Sequence, residues 1–169
     1  MSLSYGRLLK KVVQLSVSRD SLHFFSLQNS AGMTLTRKII NTNNAPRPIA
    51  PYNQAVLLES TLYVSGCLGL DKDTMKLVEG DVGVETRQAL KNLGHILTAS
   101  NSAFDKVVKT TIFMSDINDF VAINEVYKEF FTKDYPARSA FQVGKLPMNA
   151  RVEIEAVAGV GNIKTICCH

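Results

Sequence analysis

Arg138 and Glu153 are the residues of this chain whose types and settings best suit chemistry on a small anion. In "PARSAFQV" (136–143), Arg138, Ala140 and Gln142 alternate with Ser139, Phe141 and Val143, the pattern of a half-buried strand. Arg138 therefore shares a side of a sheet with Ala140 and Gln142. Two readings of it stand: a surface ion pair, worth at most about 1 kcal/mol, or a planar, permanently charged fork for a carboxylate. In "RVEIEAVAG" (151–159), Glu153, Glu155 and Val157 face one way, and Val152, Ile154, Ala156 and Ala158 the other. The acidic side is either a solvated edge or the wall of a cleft in which one carboxylate handles water or a proton close to Arg138.

Other constellations are thin. The chain has no G-x-S-x-G, no G-x-x-x-x-G-K-[ST], no H-E-x-x-H and no glycine-rich dinucleotide loop. His23, His95 and His169 fall in an N-terminal leader, on the first helix and at the last residue, too dispersed for a nucleophilic triad. Cys67 in "VSGCLG" reads as a nucleophile or as a small hydrophobe. Cys67, Cys167 and Cys168 make no even disulfide framework, which points to a reducing compartment. The final "CCH" reads as an untethered tail: neighbouring Cys167 and Cys168 are poorly placed to chelate one ion, and no second ligand pair is evident. Neither is fourth from the end, so the tail is no prenylation box. No metal and no cofactor is expected.

With 169 residues, 46% hydrophobic and 20% charged, the chain fits one globular domain. No apolar run approaches the roughly 18 residues needed to cross a bilayer, so a soluble protein with no membrane partner is expected. The charge is uneven. Residues 1–32 set Arg7, Lys10, Lys11 and Arg19 against Asp20 and so hold +3 of the net +4. The nearly neutral remainder lacks the basic face of a nucleic-acid binder, so RNA is a weakly supported partner. The leader also has seven serines and an amphipathic spacing of Tyr5, Leu8, Leu9, Val12 and Val13. It reads as a mitochondrial presequence or as an inert extension before a second start at Met33, giving a mitochondrial or a cytoplasmic protein.

The body that must position Arg138 and Glu153 runs over 33–161, with 162–169 as the tail. Strands are predicted near 35–41, 54–58 and 62–69, the last two joined by a short turn at "EST". Ala89, Leu90, Leu93, Ile96 and Leu97 make a helical stripe over 84–99, with Asp81 or a neighbour as its cap. The β-branched run at 106–114 reads as a largely buried strand. Asp116 then caps a second helix whose Phe120, Ile123, Tyr127 and Phe130 read as core. Strands at 138–144 and 151–159 follow. The expected class is α+β: a single mixed sheet with both helices on one face, leaving the other face to be hidden by another copy of the chain.

The ordered motifs "APRPIAPYNQAV" (45–56), "YVSGCLGLD" (63–71), "VVKTTIFMSDINDF" (107–120), "YPARSAFQV" (135–143) and "RVEIEAVA" (151–158) resemble the Rid/YjgF reactive-intermediate deaminases, in the 2-iminobutanoate/2-iminopropanoate deaminase branch. The resemblance spans about 37–160. It implies a chorismate-mutase-like fold and a homotrimer whose sheets line an inner barrel, with three active sites in the clefts between subunits. Arg138 would then bind the carboxylate of a 2-imino acid and Glu153 would position the attacking water. Tyr52 would wall the pocket, completed by Ser65, Gly66, Cys67 and Ala140. Two departures stand out: Cys67 occupies a position where the family usually has glutamine, and Ala140 one where several bacterial members have cysteine, which argues against an essential thiol. The implied reaction is hydrolysis of imines, released by pyridoxal-dependent dehydratases, to 2-keto acids and ammonia. The alternatives are an endoribonuclease of single-stranded RNA and a non-catalytic chaperone or small-acid-binding trimer.

Overall fold

Among the described residues, six strands and two helices follow one another in the predicted order: β1 (Arg37–Ile40), β2 (Ala55–Leu58), β3 (Thr61–Leu68), α1 (Val82–Ala99), β4 (Val107–Met114), α2 (Phe120–Phe130), β5 (Ala137–Gln142) and β6 (Val152–Gly159). This computed structural model describes residues 34–166. The basic leader over 1–32 and the Cys167, Cys168 and His169 of the tail lie outside the described residues.

The strands form one sheet in the order β1-β2-β3-β6-β4-β5. Only β4 and β5 pair in parallel, as the α2 crossover between them requires. β2 and β3 meet through a two-residue turn in which Glu59 has φ 53°. The last strand is central, hydrogen-bonded to both β3 and β4. β6 is therefore no edge strand, although Glu155 on its acidic side is exposed.

Alternation decides the faces. Val152, Ile154, Ala156 and Ala158 of β6 are almost fully buried, and Ile112, Met114, Leu62 and Val64 join them on the side covered by the helices. From above, α1 supplies Ala89, Leu90, Leu93, Ile96 and Leu97, the stripe read from the sequence, and α2 adds Ile123, Val126 and Tyr127. The Arg87 guanidinium of α1 grips the Glu129 carboxylate of α2 through two hydrogen bonds. Asp81 caps α1 by accepting from the Val84 N–H at 2.9 Å.

The other face carries Tyr63, Phe141, Val157, Thr111 and Glu155 with no helix of the described residues over them, and Tyr63 and Phe141 are about half exposed. β4 is thus buried on one side only. Two further differences from expectation concern α2. Asp116 caps a short 3-10 turn over Ile117–Asp119 that leads into the helix, its Oδ1 accepting from the Asn118 N–H at 2.9 Å. Phe120 is exposed rather than core, its ring standing beside the Arg138 guanidinium of the edge strand β5.

Candidate functional site

Glu153 owes its setting to an irregularity in β3. The pairing of β3 with β6 shifts register between Val64 and Cys67, a bulge that sets Ser65 and Gly66 out of the ladder. A methyl group built on Gly66 would stand 1.8 Å from Oε1 of Glu153, so only glycine lets the carboxylate lie against this backbone. Ser65 is fixed by its N–H donating to the Gln54 carbonyl at 3.0 Å and its Oγ donating to the Asn53 carbonyl at 2.7 Å. Gln54, buried in turn, ties down the proline-rich loop that carries Tyr52: its Oε1 accepts from the Thr42 N–H, and its Nε2 donates to the carbonyls of Thr42, Ala45 and Pro46.

These elements enclose a cavity of about 290 Å³ lined by Tyr52, Ser65, Gly66, Cys67 and Glu153 among others. Five of the seven residues assigned to the site from the sequence thus meet in one place. Burial, and next the Glu155 charge, hold the Glu153 carboxyl above the ordinary glutamate range. The group is therefore poised to exchange a proton. Burial, and then the Glu153 charge, push the Cys67 thiol up to about 12. A thiol so reluctant to ionise is no nucleophile at neutral pH, and the hydrophobe reading holds.

Arg138 and Ala140 stand elsewhere. On β5 they pair with Thr110 and Ile112, which places them on the helix-covered side at the sheet's edge. The Arg138 guanidinium donates to Asn124 Oδ1 of α2 at 2.7 Å. Its carbon lies 5.0 Å from the centroid of the Tyr127 ring and 5.7 Å from that of Phe120. Tyr127 is itself locked by a 2.9 Å hydrogen bond between its hydroxyl and Thr110 Oγ1. The result is a guanidinium held by Asn124 beside two aromatic rings, lining a groove of about 510 Å³ that also reaches Tyr135 and Lys128. None of the three ion pairs among the described residues includes Arg138 or Glu153. Within one chain the two do not meet: Glu153 faces the uncovered side of the sheet and Arg138 the covered side, with β4 between their strands.

Asn124 and Gln54 were missed from sequence. Asn124 follows Phe120 by four residues and precedes Tyr127 by three, so the helical stripe already held the signal. For Gln54 no local signal exists, because its partners are backbone groups of a loop. Among the described residues no cluster of three or more His, Cys, Asp or Glu is placed to hold a metal ion.

Comparison with known proteins places the chain in a family of the same fold. The chain is 59% identical over 132 residues to the RutC family protein UK114 of Drosophila melanogaster, covering 78% of this chain and 96% of that protein. It is 50% identical over 132 residues, with the same coverage, to the human protein named 2-iminobutanoate/2-iminopropanoate deaminase. The crystal structure of E. coli TdcF with bound serine superposes with a TM-score of 0.70 at 40% identity, covering 73% of this chain and 99% of that one. Residues 42–160 match the family model described as Endoribonuclease L-PSP, and the chain belongs to that family, the Rid/YjgF proteins.

Proposed function

We propose that this protein hydrolyses reactive 2-imino acids, such as 2-iminobutanoate and 2-iminopropanoate, to 2-keto acids and ammonia, and that it does so as a homotrimer. One observation carries the reading: a partly buried carboxylate in a cavity and a guanidinium held by Asn124 in a groove are each half of a site for an α-substituted carboxylate, and they face opposite sides of one sheet. A second copy seated on the uncovered face brings its Arg138 to the Glu153 cavity. The half-exposed Tyr63 and Phe141 on that face support such packing. The names of relatives such as the human deaminase support the substrate class.

In the assembled cleft the Arg138 fork takes the substrate carboxylate and sets C2 over the water next to Glu153. Glu153 accepts a proton from that water as its oxygen bonds to C2 and the electron pair of the C=N bond moves to nitrogen. Return of that proton to nitrogen gives a carbinolamine. Glu153 then carries the hydroxyl proton to the amino nitrogen, the O–H electron pair forms the C=O bond as the C–N bond breaks, and ammonia departs from the 2-keto acid. Carboxylate, water and one acid–base group suffice, without a cofactor.

The test couples purified protein to a pyridoxal-dependent threonine dehydratase and follows ammonia release and imine lifetime. Faster imine loss with the protein present supports the reading, and an unchanged lifetime overturns it. Because the family carries the description Endoribonuclease L-PSP, the same preparation is offered single-stranded RNA. Cleavage there with no effect on the imine favours the nuclease. The leader over 1–32 is proposed as a mitochondrial presequence, with a start at Met33 giving a cytoplasmic form. A reporter fused to 1–32 checks this, and a diffuse cytosolic signal contradicts the presequence.

A further inference from the structure

One buried carboxylate has no part in the mechanism above. Glu85, in the first turn of α1, is 3% exposed and belongs to none of the three ion pairs among the described residues. Burying such a group is costly unless hydrogen bonds hold it, and its bonds go to one place, the start of β6. Its Oε1 accepts from the Arg151 N–H at 2.7 Å and, at 3.4 Å, from the Val152 N–H. The Arg151 carbonyl in turn accepts from the Ser115 N–H just past β4, and the Arg151 guanidinium donates to the Gly80 carbonyl just ahead of α1. Glu153 lies two residues after Arg151 on the strand so anchored.

The same helix secures the strand on the other side of Glu153. Further along α1, Asn92 Nδ2 donates to the carbonyls of Leu68 and Leu70 at 3.0 and 2.9 Å, and Leu68 is the β3 residue paired with Glu153. Gly69 lets α1 come this close: a methyl group built there would stand 2.5 Å from Glu85 Cγ and 2.6 Å from the Glu85 carbonyl oxygen. The tolerance at Glu153 is as small, because its carboxylate occupies the space that Gly66 leaves free. Resting on the imine-hydrolase reading, we infer that Glu85 is a positioning residue: it fixes the entry of β6 and thereby holds the Glu153 carboxylate against the Gly66 bulge, where it meets the attacking water. Its reach and its acceptor do this, not its charge, since burial and Glu155 are what raise the proton affinity of Glu153.

The experiment compares Glu85→Asp, which keeps the charge and withdraws the acceptor by one methylene, with Glu85→Gln, which keeps reach and acceptor and loses the charge. Both are made in the full chain and assayed on 2-iminobutanoate beside the unmodified protein. In Glu85→Asp, kcat falls at least about tenfold, the scale of a small misplacement in a catalytic site, while KM stays within about twofold because Arg138 holds the substrate carboxylate. Glu85→Gln keeps kcat within about threefold, the modest loss expected of a neutral acceptor. In a Glu153→Gln background the Asp substitution costs less than about twofold, since the group it would misplace is gone, whereas a merely structural role costs as much in either background. An Asp variant within about threefold of the unmodified kcat, a Gln variant as slow as the Asp one, or equal losses in both backgrounds each overturns the inference and leaves imine hydrolysis standing. Loss of the far-UV circular dichroism signal in Glu85→Asp makes Glu85 a folding residue and overturns it as well. Absence of imine turnover by the unmodified protein overturns the hydrolase reading, and the inference with it.

Discussion

Arg138 has no carboxylate partner among the described residues, yet Asn124 and the rings of Tyr127 and Phe120 hold it in one orientation. A surface arginine kept for solubility needs no such cradle, whereas a carboxylate fork does. Arg138→Ala is expected to cost imine hydrolysis about 2–5 kcal/mol in kcat/KM, roughly 30- to 5,000-fold. Arg138→Lys should recover little of it, because an ammonium keeps the charge and loses the bidentate plane. Steady-state kinetics on 2-iminobutanoate decide this, and activity within about threefold of the unmodified protein returns Arg138 to a surface-charge role. Asn124→Ala removes one hydrogen bond from the fork and should raise KM several-fold more than it lowers kcat, about 0.5–1.5 kcal/mol in all. Glu153 is held above the usual glutamate range by burial and then by Glu155. Its proton is thus kept to higher pH in the folded state, so ionising it opposes folding as pH rises, while the base needed for water is lost as pH falls. Glu155→Gln should therefore move the acid limb of the kcat/KM profile to lower pH, and an unmoved limb means that the limb belongs to another group. Arg138 and Glu153 were legible as candidates because alternation exposes a charged residue on an apolar strand. Their separation to opposite sides of the sheet was not, since parity within one strand says nothing about parity relative to another.

At the scale of elements, periodicity carried most of the fold. The stripe of Leu90, Leu93 and Leu97 and the alternation through Val152–Ala158 predict both the elements and the faces they bury, because each is set by one repeating distance. Position in the sheet is a different matter. β6 is last in the chain and yet sits between β3 and β4, a long-range pairing that no local pattern encodes. The β3 bulge is likewise silent in sequence, although the Ser65–Gly66 pair marks its place. Gly66→Ala tests the bulge: the added methyl displaces Glu153, so turnover should fall at least about tenfold while far-UV circular dichroism stays unchanged, because the flexible glutamate rather than the backbone yields. Loss of the circular dichroism signal would instead make Gly66 a folding residue. Asp81→Ala, which deletes the α1 cap at a residue outside the cavity lining, should lower unfolding stability by about 1 kcal/mol in urea at fixed protein concentration and leave kinetics intact.

For the whole molecule, the proposed second copy in a defined orientation would both cover the exposed sheet face and bring Arg138 to Glu153. Light scattering at micromolar concentration is expected to give the mass of a trimer. The central claim is that each working site takes Arg138 from one copy and Glu153 from its neighbour. Arg138→Ala and Glu153→Gln proteins, each nearly inactive alone, are denatured together in equal amounts, refolded and assayed on 2-iminobutanoate. In a cyclic assembly with random mixing, a site is intact when both of its contributors are, which predicts recovery to about one quarter of unmodified activity. Recovery to no more than the average of the two variants would contradict a shared site and place the chemistry within a single chain.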